Sequence, residues 1–331
     1  VTVRFLAAQP SLDSVAAGTR APVYVDSRQR AYRWSLSAPG TRKPIASGRS
    51  SRFTLPVPIP RSRAGLYVLS LSSGASTTSV PVVAHASHPA KALVVLPALS
   101  WQGHNPVDDD GDGLPDTLAA GQGIALARPL VASPPAGYPD EAALLSYLDS
   151  AHYAYDLQTD IGLLDGVGPK LSGHNAVVLA GSEQWIARSL AAELRAYVQR
   201  GGHVISLGIG SLQRYVTVSG GNVSAPAPPS ATDALGARPG AQVKGNQELI
   251  AVLSDQLGIF SSTSGVLGGF AEYQPIVSVA PPAQVVSQAG TSPSSAAVVA
   301  YQLGHGTVVD IGLVGFGSRL ATNVDAKELW N

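Results

Sequence analysis

The chain contains no cysteine, which excludes disulfides, thiolate metal sites and a cysteine nucleophile. It contains no methionine either, not even at position 1. Such a chain is expected to be a processed protein or a piece cut from a longer one, with any targeting segment already removed. Charge is scarce: 13% of the 331 residues are charged, and 22 basic residues balance 22 acidic ones. No basic stripe stands out, which argues against nucleic acid as a partner. No apolar run approaches the ~18 residues that cross a bilayer. What the chain does have is core material, 45% hydrophobic residues in a length with room for two domains. Low charge and plentiful Ser, Ala, Gly and Pro lean towards export, to the extracellular space or the cell surface.

Residues 1–88 read as all-β. Short runs such as VTVRFLA (1–7), APVYVDS (21–27), AYRWSLS (31–37), RFTLPV (52–57), GLYVLSL (65–71) and TTSVPVV (77–83) are bounded by Gly, Pro, Ser and Asp. Alternation sends Tyr32, Trp34 and Leu36 to one face and Arg33, Ser35 and Ser37 to the other. About six strands at roughly 10-residue spacing, without helical periodicity, predict a small Ig-like β-sandwich. AHASHPAK (84–91) is then the linker.

Residues 89–331 carry a different pattern. ALVVLPA (92–98), NAVVLAG (175–181), HVISLG (203–208) and GTVVDIGL (306–313) are continuous apolar runs, as in strands buried on both faces. Between them, PDEAALLSYLDSAHYAYD (139–156) sets Leu144, Leu145, Leu148, His152 and Tyr155 near helical spacing, with Asp140 placed to cap. SLAAELRAYVQRGG (189–202) gathers Leu190, Leu194, Tyr197 and Val198 on one face, with Gly201 at a left-handed C-terminal cap. Strand and helix in alternation predict a parallel α/β sheet. The polar, Pro/Gly-rich stretch 216–244 reads as an insertion, and QELIAVLSDQLG (247–258) as a helix.

DDDGDGLPD (108–116) holds five carboxylates beside two glycines. A chelating loop places carboxylates at positions 1, 3 and 5, a glycine at the turn, a carbonyl at 7 and another oxygen at 9. Asp108, Asp110, Asp112, Gly113, Leu114 and Asp116 fill those places, while Asp109 and Gly111 point away. The EF-hand glutamate at position 12 is replaced by Ala119, so any bidentate ligand comes from elsewhere. The loop resembles the DxDxDGxxD calcium loops of thrombospondin type 3 repeats, and calcium is the expected cofactor, in a structural role. A solvated acidic turn is the competing reading.

In open parallel sheets, ligands bind beyond the carboxyl ends of the strands. SWQGHN (100–105), GSEQW (181–185) and GIGSLQ (208–213) land there. They offer Trp101, Gln102, His104, Asn105, Ser182, Glu183, Trp185, Ser211 and Gln213 as a pocket for a small-molecule or carbohydrate ligand. Neither Ser182 nor Ser211 sits in the G-x-S-x-G pattern of a nucleophile elbow. His104 and Glu183 can share a metal ion, but two ligands are too few.

VVLPALSWQGHN (94–105), AVVLAGSEQW (176–185), the helix ending YVQRGGHVISLG (197–208) and the upstream RAGLYVLSL (63–71) together resemble the C-terminal region of the N,N-dimethylformamidase large (β) subunit family. The resemblance implies a glutamine-amidotransferase-like, flavodoxin-type domain over 89–331 after a β-sandwich over 1–88. It also implies hydrolysis of a small amide by an iron held by two tyrosines and a glutamate. Carried over, the glutamate falls on Glu183, one tyrosine on His104 and the other on Tyr67. The calcium-type loop is an addition to the family pattern. Two functions follow as expectations. One is an exported calcium-binding protein whose family-like domain is non-catalytic or divergent. The other is a metal-dependent hydrolase of a small amide or C–N bond, with His104, Glu183 and Tyr67 holding iron or zinc.

Overall fold

The computed structural model describes residues 6–61, 64–131, 135 and 137–331. Most of the expected strand 1–7 therefore lies outside the described residues. The N-terminal strands are β1 (Ala7–Gln9), β2 (Val15–Ala16), β3 (Arg20–Asp26), β4 (Tyr32–Ser37), β5 (Ala46–Ser50), β6 (Thr54–Pro58), β7 (Gly65–Ser73) and β8 (Ser76–His85). They form two sheets, ordered β1-β3-β6 and β2-β8-β7-β4-β5. In β3, Ala21, Val23 and Val25 are buried while Arg20, Pro22, Tyr24 and Asp26 are exposed, the period of two of a half-buried strand. The inward set meets Leu36, Leu69 and Val82 of the other sheet in one core.

Next, β9 (Ala92–Leu96) runs into α1 (Ala98–Gly103), and an excursion holding β10 (Ile124–Ala125) leads to α2 (Tyr138–Ser150). There follow β11 (Asp156–Thr159), α3 (Asp160–Asp165), β12 (Ala176–Leu179), β13 (Trp185–Ala187), α4 (Arg188–Gln199) and β14 (His203–Leu207). The stretch after β14 contains β15 (Arg214–Val216), β16 (Val218–Ser219), β17 (Asn222–Val223) and β18 (Ala237–Pro239). Then come β19 (Ile250–Asp255), β20 (Val266–Leu267), β21 (Ile276–Val279), β22 (Gln284–Ser292), β23 (Ser295–Leu303), β24 (Gly306–Ile311), α5 (Phe316–Arg319) and α6 (Val324–Trp330). On α4, Leu190, Ala191, Leu194, Tyr197 and Val198 are buried as a single stripe. Each leucine so covered contributes about 2 kcal/mol. Gly201 follows with a φ of +109°.

The large sheet corrects the expected fold class. Its order is β11-β9-β12-β14-β24-β23-β22-β19-β20, with β18 and β21 attached at β23. β11, β9, β12, β14 and β24 pair in parallel, but β23, β22, β19 and β20 continue the sheet antiparallel. Strand accounts for 38% of the residues and helix for 15%, and the sheet curls as a half-barrel. The chain is thus a mixed, mostly antiparallel β structure and not a parallel α/β flavodoxin-type fold. The reason lies between β14 and β24. A parallel sheet needs a covering helix at each crossover, and this stretch supplies hairpin strands instead. The segment 247–258, expected as a helix, contains β19. Ile250, Leu253 and Leu257 are spaced as on a helix face, yet Ala251 and Val252 pair with Gly290 and Ala289 of β22.

The N-terminal sheets sit against the edge strand β11 and against α2. Asp156 Oδ1 accepts the N–H of Ala86 at 2.9 Å, Gln158 Oε1 that of Ser14 at 3.2 Å, and Thr159 Oγ1 donates to the carbonyl of Leu12. Leu66 and Val83 join Ala142 and Leu145 of α2 in the largest core. Among the described residues, no helix is long and apolar enough to cross a membrane.

Candidate functional site

The acidic loop leaves α1 and returns through an isolated bridge between Val107 and Asp116. Asp108 accepts the N–H groups of Gly111 (2.6 Å) and Gly113 (3.0 Å). Asp110 accepts Asp112 N–H at 3.1 Å, and Asp116 accepts Asp109 N–H at 2.6 Å. These bonds curl the chain until one oxygen each of Asp108, Asp110 and Asp116 lies within 4.8 Å of the others. Gly113 holds the turn at a φ of +91°, where a side chain is strained. Asp112 instead accepts the N–H of Leu114 at 2.7 Å, and the Leu114 side chain is exposed.

Asp109 turns the opposite way, as expected, and meets Arg128, which no motif or spacing in the chain marks out. Arg128, 2% exposed, donates Nη1 to Asp109 Oδ2 at 2.9 Å and to the carbonyl of Asp116 at 3.0 Å, and Nη2 to the carbonyl of Gln102 at 2.5 Å. Gln102 and Asn105 serve the same joint. Gln102 Nε2 donates to the Arg128 carbonyl, and Asn105 Nδ2 donates to Gln102 Oε1 and to the Pro129 carbonyl. Asn105 Oδ1 accepts Val131 N–H at 2.9 Å. These two amides fasten the returning chain.

A cleft of about 300 Å³ opens at the carboxyl ends of β12, β14 and β24, lined by Gly181, Ser182, Gly208 and Gly315 together with Asp140 and Glu141 of α2. Glu141 is buried beneath it, its Oε2 accepting Trp101 Nε1–H at 2.9 Å. A Cβ on Gly181 would stand 2.5 Å from Glu141 Oε1 and 3.0 Å from its Cγ, so a side chain there would have to displace this carboxyl. Burial first, then the neighbouring Asp140 and Asp160, pushes Glu141 well above the ordinary carboxylate range, although the Trp101 bond works against the shift. Ser182 Oγ accepts Ile209 N–H at 3.2 Å.

Deeper still, Asp160 and Glu183 face each other over a small void among Val95, Leu179, Ile186 and Leu190. Asp160 accepts the N–H of Leu99 on both oxygens at 3.1 Å and that of Ile161 at 2.8 Å. Desolvation lifts it to about 7. Glu183 is driven higher by burial and by Asp160, so the pair keeps a proton between its carboxyls. Glu183 Oε1 has no hydrogen-bond partner. Glu141 and Asp160 were missed from the sequence. Glu141 carried a signal, because 141, 144, 145 and 148 form one helical stripe with an acid at its start.

The remaining candidates are dispersed. His104 Nε2 bonds Gln184 Oε1 at 2.7 Å, and its ring stands edge-on to Trp185 at 4.7 Å. It therefore meets the two residues after Glu183 and not the Glu183 carboxyl. Trp185 is buried over Gly103 and does not form a rim. Ser211 Oγ donates to the Leu207 carbonyl at 3.4 Å, and Gln213 Nε2 to that of Ser230 at 3.3 Å. Tyr67 packs in the core of the N-terminal sheets. Iron held by Tyr67, His104 and Glu183 is poorly matched by this arrangement: of the three, Glu183 alone presents an orphaned buried oxygen. Among the described residues, the acids that converge closely enough to hold an ion together are Asp108, Asp110 and Asp116.

A family model described as N,N-dimethylformamidase beta subunit-like, C-terminal, matches residues 47–218, from β5 to the turn at β16. No curated protein sequence matches the chain. Among solved structures, Gan42B, a GH42 β-galactosidase from G. stearothermophilus, is similar at a TM-score of 0.39 and 13% identity, over 71% of this chain and 29% of that one. The exo-β-1,4-mannosidase Op5Man5 from Opitutaceae bacterium strain TAV5 gives 0.40 and 13%, over 73% and 35%. A putative ThuA-like protein from Parabacteroides merdae gives 0.31 and 11%, over 73% and 87%. The chain thus spans under a third of the β-galactosidase, and likenesses this loose carry no argument about activity.

Proposed function

The chain belongs to the N,N-dimethylformamidase beta subunit-like, C-terminal family, and from that premise we propose that it is an exported calcium-binding protein with a non-catalytic or divergent binding role. Asp108, Asp110, Asp112, the Leu114 carbonyl and Asp116 are the proposed ligands, and the cleft over Glu141 takes a small molecule. One observation carries this reading. Three carboxylate oxygens crowd within 4.8 Å, while the nearby cation, Arg128, is committed to Asp109. Like charges that close repel unless a cation or water absorbs the charge, and calcium prefers six to eight hard oxygens. Titration calorimetry on EDTA-treated protein is expected to give near-stoichiometric calcium heat. No heat, with melting unchanged in excess EDTA, overturns the reading.

The second reading is a metal-dependent hydrolase of a small amide or C–N bond, using iron or zinc on Glu183 with His104 and Tyr67. The orphaned Glu183 Oε1 favours it, and the engagement of His104 with Gln184 weighs against it. Elemental analysis of protein purified without added metal separates the two. Iron or zinc near one per chain, lost in Glu183→Ala, supports the hydrolase, whereas calcium alone supports the binding protein.

A further inference from the structure

The zero net charge conceals a division. Residues 1–88 hold eleven Lys or Arg against two Asp, and residues 89–331 hold eleven against twenty Asp or Glu. Part of the basic excess is organised on the outer face of the five-stranded sheet. Strand register sets Arg49, Arg33, Ser72 and Thr77 side by side in one row across β5, β4, β7 and β8. The next row on the same face is Ser47, Ser35, Ser70 and Ser79. Towards the other end of β7 this face turns apolar, with Leu66 and Val68 packed towards α2. Beyond that cover lies an open depression of about 660 Å³.

Arginines directly opposite each other on paired strands repel, and among the described residues no acid is within ion-pair distance of Arg33 or Arg49. Nor does any acid line the depression. We propose that this face binds an anionic polysaccharide, with an acid group of the polymer seated between Arg33 and Arg49 and sugar hydroxyls on the Ser and Thr rows. The guanidinium fork matches the paired oxygens of a sulfate or carboxylate. Serine and threonine hydroxyls both donate and accept, as sugar hydroxyls require. Single-stranded nucleic acid is a poorer fit, because bases stack on open aromatic rings, and Trp34, which lines the depression, has its indole packed against the core and against Gly48. An anionic bilayer is poorer too. Membrane-surface binding needs apolar side chains to insert, and Leu71 beneath the rows is 2% exposed.

The test is binding of the whole chain to heparin, as the sulfated arm, and to polygalacturonate, as the carboxylate arm. Dextran, a DNA oligomer and phosphatidylserine vesicles serve as comparisons. At least one acidic polysaccharide is expected to bind in a salt-sensitive way, and to lose affinity by about tenfold or more in Arg33→Ser/Arg49→Ser. Arg42→Ser/Lys43→Ser, with the same loss of charge away from the rows, is expected to stay within about threefold. Three outcomes overturn the proposal: neither polysaccharide binds, both double variants lose affinity equally, or DNA or vesicles bind as tightly as the polysaccharide. Matching thermal melts of the variants establish that a loss reflects the site and not the fold.

Discussion

Among the described residues, three acids gather at the surface and three others inside, and the two groups absorb mutual repulsion in different ways. Asp108, Asp110 and Asp116 stand in a loop where N–H groups, solvent and the proposed ion take up the charge. Among the described residues no basic side chain pairs with Glu141, Asp160 or Glu183, and burial, which raises the pKa of all three, lets retained protons take up the charge instead. The same chemical group is therefore a proposed ion ligand in one place and a neutral hydrogen-bonding element in the other. Surroundings decide which, since charge in a dry interior is far dearer than charge in water.

That contrast can be broken by mutation. Asp160→Ala is expected to have the largest effect, a loss of about 3–5 kcal/mol in urea unfolding, because it strands the N–H groups of Leu99 and Ile161 and leaves Glu183 facing a void. Asp160→Asn keeps an acceptor and is expected to lose much less; equal losses would show that the acceptor role is misjudged. Next in size is the proposed calcium: at about 100 times its Kd it is expected to stabilise by about 2.7 kcal/mol, seen as a raised Tm that EDTA reverses, and an unchanged Tm would remove the ion from the comparison. Gly181→Ala should lose about 1–3 kcal/mol by driving a methyl group into Glu141, and unaltered melting would mean that the strand end moves freely.

Acidity sharpens the comparison from another side. Asp160 titrates at about 7 when folded, against 3.8 as its ordinary value, and Asp233 at about 6. The folded chain thus holds protons that the unfolded chain has lost. Their contribution is complete below the unfolded value and drains as pH rises through the folded one. Stability should fall between pH 4 and pH 7 in calcium-free buffer, with a shallower slope in Asp233→Asn. The smallest effect belongs to the surface group. Without calcium, Asp108→Asn should shift Tm by no more than about 1–2 °C, while abolishing the calcium-induced rise.

Much of this was legible along the chain, and what was not has a physical pattern. The apolar runs at 92–98, 175–181 and 203–208 announced β9, β12 and β14, because burial on both faces leaves an unbroken hydrophobic signature. The spacing in 108–116 announced the loop, and Glu183 was picked out. Asp160 and Glu141 were not, since their meeting depends on tertiary packing that brings α2, α3 and the end of β12 together. Arg128 escaped notice for the same reason: its partners lie 12 to 26 residues away. The antiparallel side of the large sheet was misread because 247–258 satisfies helical spacing while its partner strand, 284–292, decides its conformation. The charge division went unseen because the totals cancel.

The fastening of the N-terminal sheets to β11 has a consequence for solubility. A border strand with bare peptide groups is an invitation to stack onto another molecule, and all four residues of β11 are buried. Leu12, Ser14 and Ala86 lie along that border like a selvedge on cloth, gripping it through Asp156, Gln158 and Thr159. A fragment beginning at residue 89 would leave the weave open there, and light scattering from it should betray chains fraying into one another under conditions where the 331-residue chain is expected to stay dispersed.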